Sequence, residues 1–261
     1  MDLGLKDVPA AVAAASRGLG YATALELARE GARVAICARH REEVESAASS
    51  IRRQTGAVVE PVTADVATTE GAETFVRASV DSLGGLGVLV ANAGGPPTGS
   101  VASFDDDTWV QAFGLNFMST VRMVREALPH LTASPWGRVL VITSTAAKQP
   151  IAGLGLSNSM RAAASGFAKT LSAEVAAKGV TVNCIMPGSI LTDRWRSLAG
   201  VPADAGPDHP ALEHVAQQVP VGRLGSTEEF AAVAAFLCSE RASYVTGVSI
   251  QVDGGMTRSL F

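Results

Sequence analysis

Little in this sequence could serve as a covalent or metal-based cross-link. Among its 261 residues there are three cysteines, Cys37, Cys184 and Cys238, widely spaced and set in apolar contexts such as VAICAR and VNCIMP. An odd number at such spacings makes neither a disulfide framework nor a zinc site, so the three read as small buried hydrophobes and no metal is expected. Aromatic residues are scarce at 5%, and no basic block interleaves with them, which argues against a nucleic-acid partner. The formal charge is only −4, from 21 Lys+Arg against 25 Asp+Glu. Long apolar runs are also missing, and the longest fall well short of the roughly 20 residues of a membrane-spanning helix. The opening residues, MDLGLKDVPAAVAAASRG, lack the basic start, apolar stretch and cleavage site of a secretory signal. A cytoplasmic protein without a membrane partner is expected.

What is present is apolar content and rhythm. Hydrophobic residues make up 47% of the chain, enough for a large core. Short runs (VPAAVAA, RVAICA, AVVEPV, LGVLVANAG, GRVLVIT, GVTVNCIMP and GVSIQVDGG) are almost uniformly apolar, as in parallel strands buried on both faces. Between them lie helical patterns near 19–30, 41–54, 70–82, 105–129, 156–178 and 227–238. That alternation predicts an α/β fold: a doubly wound parallel sheet of about seven strands with helices on both faces, in a single domain over 1–261. Asp105, Asp106 and Asp107 complement the dipole at one helix start, Pro129 falls near that helix's end, and Thr227-Glu228-Glu229 opens the last helix. Residues 194–226 break the rhythm. They are rich in Pro, Gly and Ala, with a helical patch near 211–218, and follow a strand C-terminus, where ligands bind in such sheets. They are the candidate substrate lid.

The first strand runs into AAASRGLGYATALELAREGARVAI. Gly18 and Gly20 sit at the strand-to-helix turn, where backbone can approach a pyrophosphate and the helix N-terminus offers free N–H groups. Further motifs follow in order: DV at 65–66, NAG at 92–94, Trp109 and Asn116, GRVLVITS at 137–144, GVTVNCIMPG at 179–188, VPVGRLG at 219–225 and VDGG at 252–255. With them the chain resembles the short-chain dehydrogenase/reductase family over roughly 8–255, and within it the β-ketoacyl carrier-protein reductases. The resemblance implies that Ser16, Arg17, Gly18, Leu19 and Gly20 wrap the pyrophosphate. It places Asp65 and Val66 at the adenine, Asn92, Ala93 and Gly94 along the cofactor cleft, and Pro187, Gly188, Ile190 and Thr192 at the nicotinamide end. Where the family usually has Thr-Gly, this chain has Ala13 and Ala14. A Cβ at position 14 fills space and disfavours positive φ, so altered or weaker cofactor binding is expected. The second strand ends ICARHR without the acid that NAD-preferring sites use for the ribose hydroxyls. Arg39 there and Arg17 in the turn can converge on a 2′-phosphate, which favours NADP(H) over NAD(H).

Ser144 ends the fifth strand at the C-terminal edge of the sheet, flanked by Thr143 and Thr145. In the family, a serine here hydrogen-bonds the substrate carbonyl. Asn116 lies mid-helix in FGLNFMST, an unfavourable position on propensity alone, and the family uses it to hold a water in a proton relay. Counting thirteen and seventeen residues on from Ser144, where the family has its catalytic tyrosine and lysine, gives Ser157 and Arg161. The i, i+4 spacing keeps both on one helix face. An aliphatic hydroxyl is a far poorer acid than a phenol, and a guanidinium stays protonated, so Arg161 can supply charge and hydrogen bonds to ribose hydroxyls and an oxyanion but no proton. Tyr21 and Tyr244, the two tyrosines, are not placed to substitute. Lys148, His209 and His214 are the other candidate donors. The resulting expectation is an NADP(H)-dependent oxidoreductase acting on a carbonyl or alcohol; by resemblance, its substrate is a 3-oxoacyl thioester or another small molecule. The alternatives are a catalytically silent dinucleotide-binding homologue and a non-redox enzyme reusing the cleft. The family further implies a homo-oligomer, a dimer or tetramer.

Overall fold

The computed structural model describes residues 1–202, 205 and 209–260. Seven strands form one sheet: β1 (Pro9–Val12), β2 (Arg33–Ala38), β3 (Val59–Thr63), β4 (Val88–Ala91), β5 (Gly137–Ile142), β6 (Val180–Pro187) and β7 (Ser249–Val252). Their spatial order is β3-β2-β1-β4-β5-β6-β7 and every pairing is parallel. The uniformly apolar runs are explained by this arrangement, since β4 and β5 are buried along their whole length. The chain winds outward from β1 to β3 and then returns to place β4 on β1's other side. The C-terminal ends of β1 and β4 therefore diverge into the crevice where such sheets bind ligands.

The helices cover both faces. On one lie α1 (Gly18–Arg29), α2 (Arg41–Thr55) and α9 (Thr227–Cys238), packed over Val34, Ile36, Leu140 and Ile185. On the other lie α3 (Thr69–Leu83), α5 (Ser119–Ala133) and α6 (Gly155–Val175), packed over Leu89, Val139, Val141 and Val182. The starts of these helices follow local chemistry. Thr68 accepts from Gly71 N at the start of α3, and Ser226 with Glu229 forms a capping box for α9. Cys37, Cys184 and Cys238 are free and buried, and burial pushes their thiols up to about 12, 11 and 12, so they are inert filling.

Three segments differ from the sequence expectation. The helix expected over 105–129 is α4 (Asp106–Phe113), a π-helical turn (Gly114–Met118) and α5, which continues past Pro129 to Ala133. The proline removes one N–H near the helix end, and Thr132 Oγ1 donates to the Leu128 and Pro129 carbonyls there. The helix expected over 156–178 ends at Val175 and tightens into a 3₁₀ turn, Ala176–Lys178. In the expected lid, two short helices form: α7 (Asp193–Leu198), capped by Thr192, and α8 (Pro210–Ala216), capped by His209. Residues 203, 204 and 206–208 of that segment lie outside the described residues. Among the described residues no helix is long and apolar enough to cross a membrane.

Candidate active site and cofactor cleft

The turn after β1 is tied to both neighbouring strands: Ala13 N donates to Val90 O (3.1 Å) and Ala15 N to Cys37 O (2.9 Å). Ala14 between them has φ 48°, in the left-handed region that an L-residue adopts only with strain. The turn thus takes the positive φ that the Cβ of Ala14 disfavours. Asn92 Nδ2 donates to the Ala14 carbonyl (3.2 Å). Gly20 packs so closely beneath that a Cβ would be driven into that same carbonyl oxygen. Helix α1 begins with Arg17 in extended conformation and no side-chain cap, leaving the N–H groups of its first turn for an anion. Leu19 lies in that turn, its carbonyl accepting from Thr23 Oγ1. Across the crevice Thr192 approaches Gly18, with its methyl 3.9 Å from where a Cβ would stand. A cavity of about 240 Å³ lies here, lined by Gly18, Tyr21, Leu191, Thr192 and Asp193 among others.

The other residues expected at the cofactor lie at the C-terminal ends of β3 and β6. Pro187 ends β6, Gly188 N donates to Val252 O (3.0 Å), and Ile190 is buried beside Gly225. Gly188 has no room for a side chain against Asp253. Asp65 Oδ1 accepts from Ala67 N (3.0 Å), fixing the turn after β3, and Val66 is buried. Arg17 and Arg39 are both exposed, and neither pairs with a carboxylate of the described residues. A second cavity of about 390 Å³ is lined by Ser16, Arg17, Tyr21, Glu43 and Ser46. Glu43 was not legible as a site residue from sequence. It accepts a hydrogen bond from Ser16 Oγ (3.3 Å), placing one acid in a pocket otherwise suited to a phosphate. These features fit a dinucleotide: a glycine cradle, an uncapped helix start and two unpaired guanidinium groups.

The loop after β4 is held by four side chains from different parts of the chain. Asn92 reaches back to Ala14, Arg161 Nη2 donates to Ala93 O (3.3 Å), Asn116 Nδ2 to Gly94 O (2.6 Å) and Arg194 Nη2 to Pro96 O (2.7 Å). Arg161 also donates through Nη1 to Ile142 O at the end of β5 (2.9 Å), so its planar fork bridges the ends of β4 and β5. It is 8% exposed. Burial, with a smaller contribution from the charge of Arg194, pulls its guanidinium down to about 10, which still leaves it cationic at neutral pH. Asn116 sits in the π-helical turn, where the wider winding aims its side chain at the loop instead of along the helix. Its Oδ1 is buried without a hydrogen-bond donor among the described residues, an acceptor suited to a water or a ligand hydroxyl.

Ser144 follows β5 two residues after Ile142, so the structure brings its hydroxyl and Arg161 to the same sheet edge. Its Oγ accepts from Ala146 N (3.1 Å), which leaves the hydroxyl hydrogen to donate. Thr143 and Thr145, by contrast, are buried and donate to Ile185 O and Pro187 O, while Ser144 is half-buried. Ser157 stands one turn before Arg161 on α6, half-buried, with no hydrogen bond to it. Of the other candidate donors, His209 caps α8 and His214 pairs with Gln218 (3.0 Å), so both are engaged within the lid segment. Tyr21 is occupied by Ser50 and Gln54, and Tyr244 is fully exposed. Lys148 is half-buried near Ser144 without an ion pair to a described residue. Arg194 and its support Gly95 were missed by sequence reading; their one signal was the doubled glycine after NA.

Residues 13–257 match the family described as enoyl-(acyl carrier protein) reductase. A 3-oxoacyl acyl-carrier-protein reductase of Pseudomonas aeruginosa is 33% identical over 98% of this chain and all of its own length. Among solved structures, L-sorbose reductase of Gluconobacter frateurii, complexed with NADPH and L-sorbose, superposes with a TM-score of 0.94 at 36% identity over the whole of both chains. An NADPH-bound short-chain oxidoreductase of Pseudomonas aeruginosa, described as containing an atypical catalytic center, superposes at 0.89 with 31% identity over 97% of this chain and 99% of its own.

Proposed function

This chain belongs to the short-chain dehydrogenase/reductase family, and we propose that it is an NADP(H)-dependent oxidoreductase interconverting a carbonyl and an alcohol. The observation that carries the reading is Arg161: it bonds the Ile142 carbonyl two residues upstream of Ser144 and thereby sets a cation beside a hydroxyl at the ligand crevice. NADP(H) is supported by the unpaired Arg17 and Arg39 and by the NADPH present in two of the similar structures. When bound, the nicotinamide would supply or accept the hydride. In this chain Ser16–Gly20 would hold the pyrophosphate and Thr192 the nicotinamide end, while Ser144 donates to the substrate oxygen and Arg161 stabilises the negative charge that develops there. Ser157 replaces the acidic phenol with a weak hydroxyl, so the proton comes from solvent passed along Ser157 or from Lys148. A 3-oxoacyl thioester is one substrate class, from the carrier-protein reductase, and a ketose is another, from the sorbose reductase.

The protein acts as a homo-oligomer. Val110 and Phe113 on α4 are 67% and 42% exposed, and the rings of Phe113, Phe117 and Phe167 run from α4 to α6 as one apolar face.

The exchange of phenol and amine for Ser157 and Arg161 favours a second reading, a dinucleotide-binding homologue without turnover. NADPH titration followed by a carbonyl panel separates the two. Oxidation of NADPH by a ketone supports the enzyme; binding without oxidation supports the silent homologue; no binding near millimolar NADPH defeats both. In the double variant Ser157→Tyr, Arg161→Lys, a rise in turnover of about 10²-fold or more is the outcome expected if only the acid is missing.

A further inference from the structure

The substrate end of the crevice carries positive charge that no described residue neutralises. The chain is acidic overall, and five of its arginines, Arg29, Arg41, Arg52, Arg77 and Arg223, stand in ion pairs with carboxylates. Arg161 and Arg194 do not. Arg161 is more than nine-tenths buried, its partners are the Ile142 and Ala93 carbonyls, and the charge that acts on it is that of Arg194. Burying a cation against another cation is costly unless an anion completes the site.

Arg194 is placed with care for an exposed side chain. It extends from the first turn of α7 to the loop after β4, where one N–H is spent on Pro96 O. Its guanidinium lies against Gly95, where a Cβ would come within 2.9 Å of Nη2. The two arginines therefore hang on carbonyls three residues apart, Ala93 and Pro96, on the loop that lines the crevice. Each retains N–H groups beyond those already used. The phosphates of a dinucleotide belong at the glycine turn, so the charge at this end calls for a different anion.

We propose that Arg161 and Arg194 together hold a carboxylate of the substrate, so that the substrate class is a short keto acid or hydroxy acid. This deepens the oxidoreductase reading and rests on it. A keto acid sets its carboxylate one or two carbons from the reacting carbonyl, so the carbonyl would meet Ser144 while the carboxylate meets the two guanidinium groups. Gly95 is then a specificity element, since it provides the flat support for Arg194.

The test uses a matched pair, acetoacetate and its neutral methyl ester, titrated calorimetrically into the NADPH-loaded protein with NADPH absorbance followed in parallel. Acetoacetate is expected to bind at least about tenfold more tightly than the ester. Arg194→Gln abolishes that preference, and Gly95→Ala, which moves the guanidinium without removing it, reduces it. Thermal melts confirm that each variant is folded. Equal binding of acid and ester, binding of neither, or a preference that survives Arg194→Gln overturns the clamp. Inorganic phosphate displacing acetoacetate more effectively than acetate does overturns the carboxylate assignment. An Arg194-dependent preference without NADPH oxidation keeps the clamp and defeats the redox reading. Oxidation by acid and ester alike does the reverse.

Discussion

Replacing Ala14 with glycine should make this protein more stable. Ala14 is held at φ 48° by hydrogen bonds that anchor both of its neighbours to β4 and β2. The left-handed conformation costs an L-residue about 1–2 kcal/mol, whereas glycine adopts it freely but loses about 0.5–1 kcal/mol more backbone entropy on folding. The net gain is about 0.5–1 kcal/mol, which for a chain of this length is a rise of about 2–3 °C in melting temperature. The neighbouring substitution Ala13→Gly is the control of opposite sign. Ala13 is fully buried and has no positive φ, so glycine there removes a packed methyl and adds entropy to the unfolded chain. The assay is thermal unfolding of the apo protein followed by circular dichroism, with NADPH affinity measured by fluorescence titration. Ala14→Gly is expected to raise the melting temperature and tighten NADPH by about threefold, because the Cβ no longer fills space beside the pyrophosphate. A melting temperature that falls, or equal shifts at positions 13 and 14, would show that the turn does not have this backbone and would refute the reasoning.

Other outcomes follow from the same geometry. Arg17→Ala with Arg39→Ala should weaken NADPH about a hundredfold and leave NADH within about twofold, as read by paired fluorescence titrations, because only the 2′-phosphate uses these forks. Gly20→Ala drives a Cβ into the Ala14 carbonyl and to 2.9 Å from Asn92 Nδ2; a loss of about 1–3 kcal/mol in urea unfolding is expected, since backbone cannot step aside as a side chain would. Arg161 has a guanidinium lowered by burial to about 10. Below that pH the burial penalty on the folded state is fully present, and it is relieved as pH rises from about 10 toward the unfolded value, so this group's contribution to stability increases while anion binding is lost. Wild type measured against Arg161→Met from pH 8 to 11 should show both trends; a flat difference would mean that the side chain is not buried as described.

The fold was legible in the sequence because its signals are local and repeated. Uniform apolar runs such as RVAICA and GRVLVI can be satisfied only between two layers of helix, and helix-length patterns between them leave one economical architecture. The glycine turn at 18–20 was likewise countable, while the departure at position 14 and the significance of Ser157 and Arg161 came from the family resemblance. Helix α7 escaped notice because six residues in a Gly- and Ala-rich stretch carry too little periodicity. The division of labour at the site itself was decided only by tertiary structure. No local pattern says that Arg161 spends its fork on Ile142 and Ala93, that Asn116 takes Gly94, that Arg194 lies on Gly95, or that Glu43 faces Ser16. These partners are far apart in sequence, and most are backbone carbonyls, which every residue possesses. Composition and periodicity determine which elements form and which faces they bury. Which carbonyl a buried guanidinium meets depends on where the strand ends diverge, and that is set when the sheet closes.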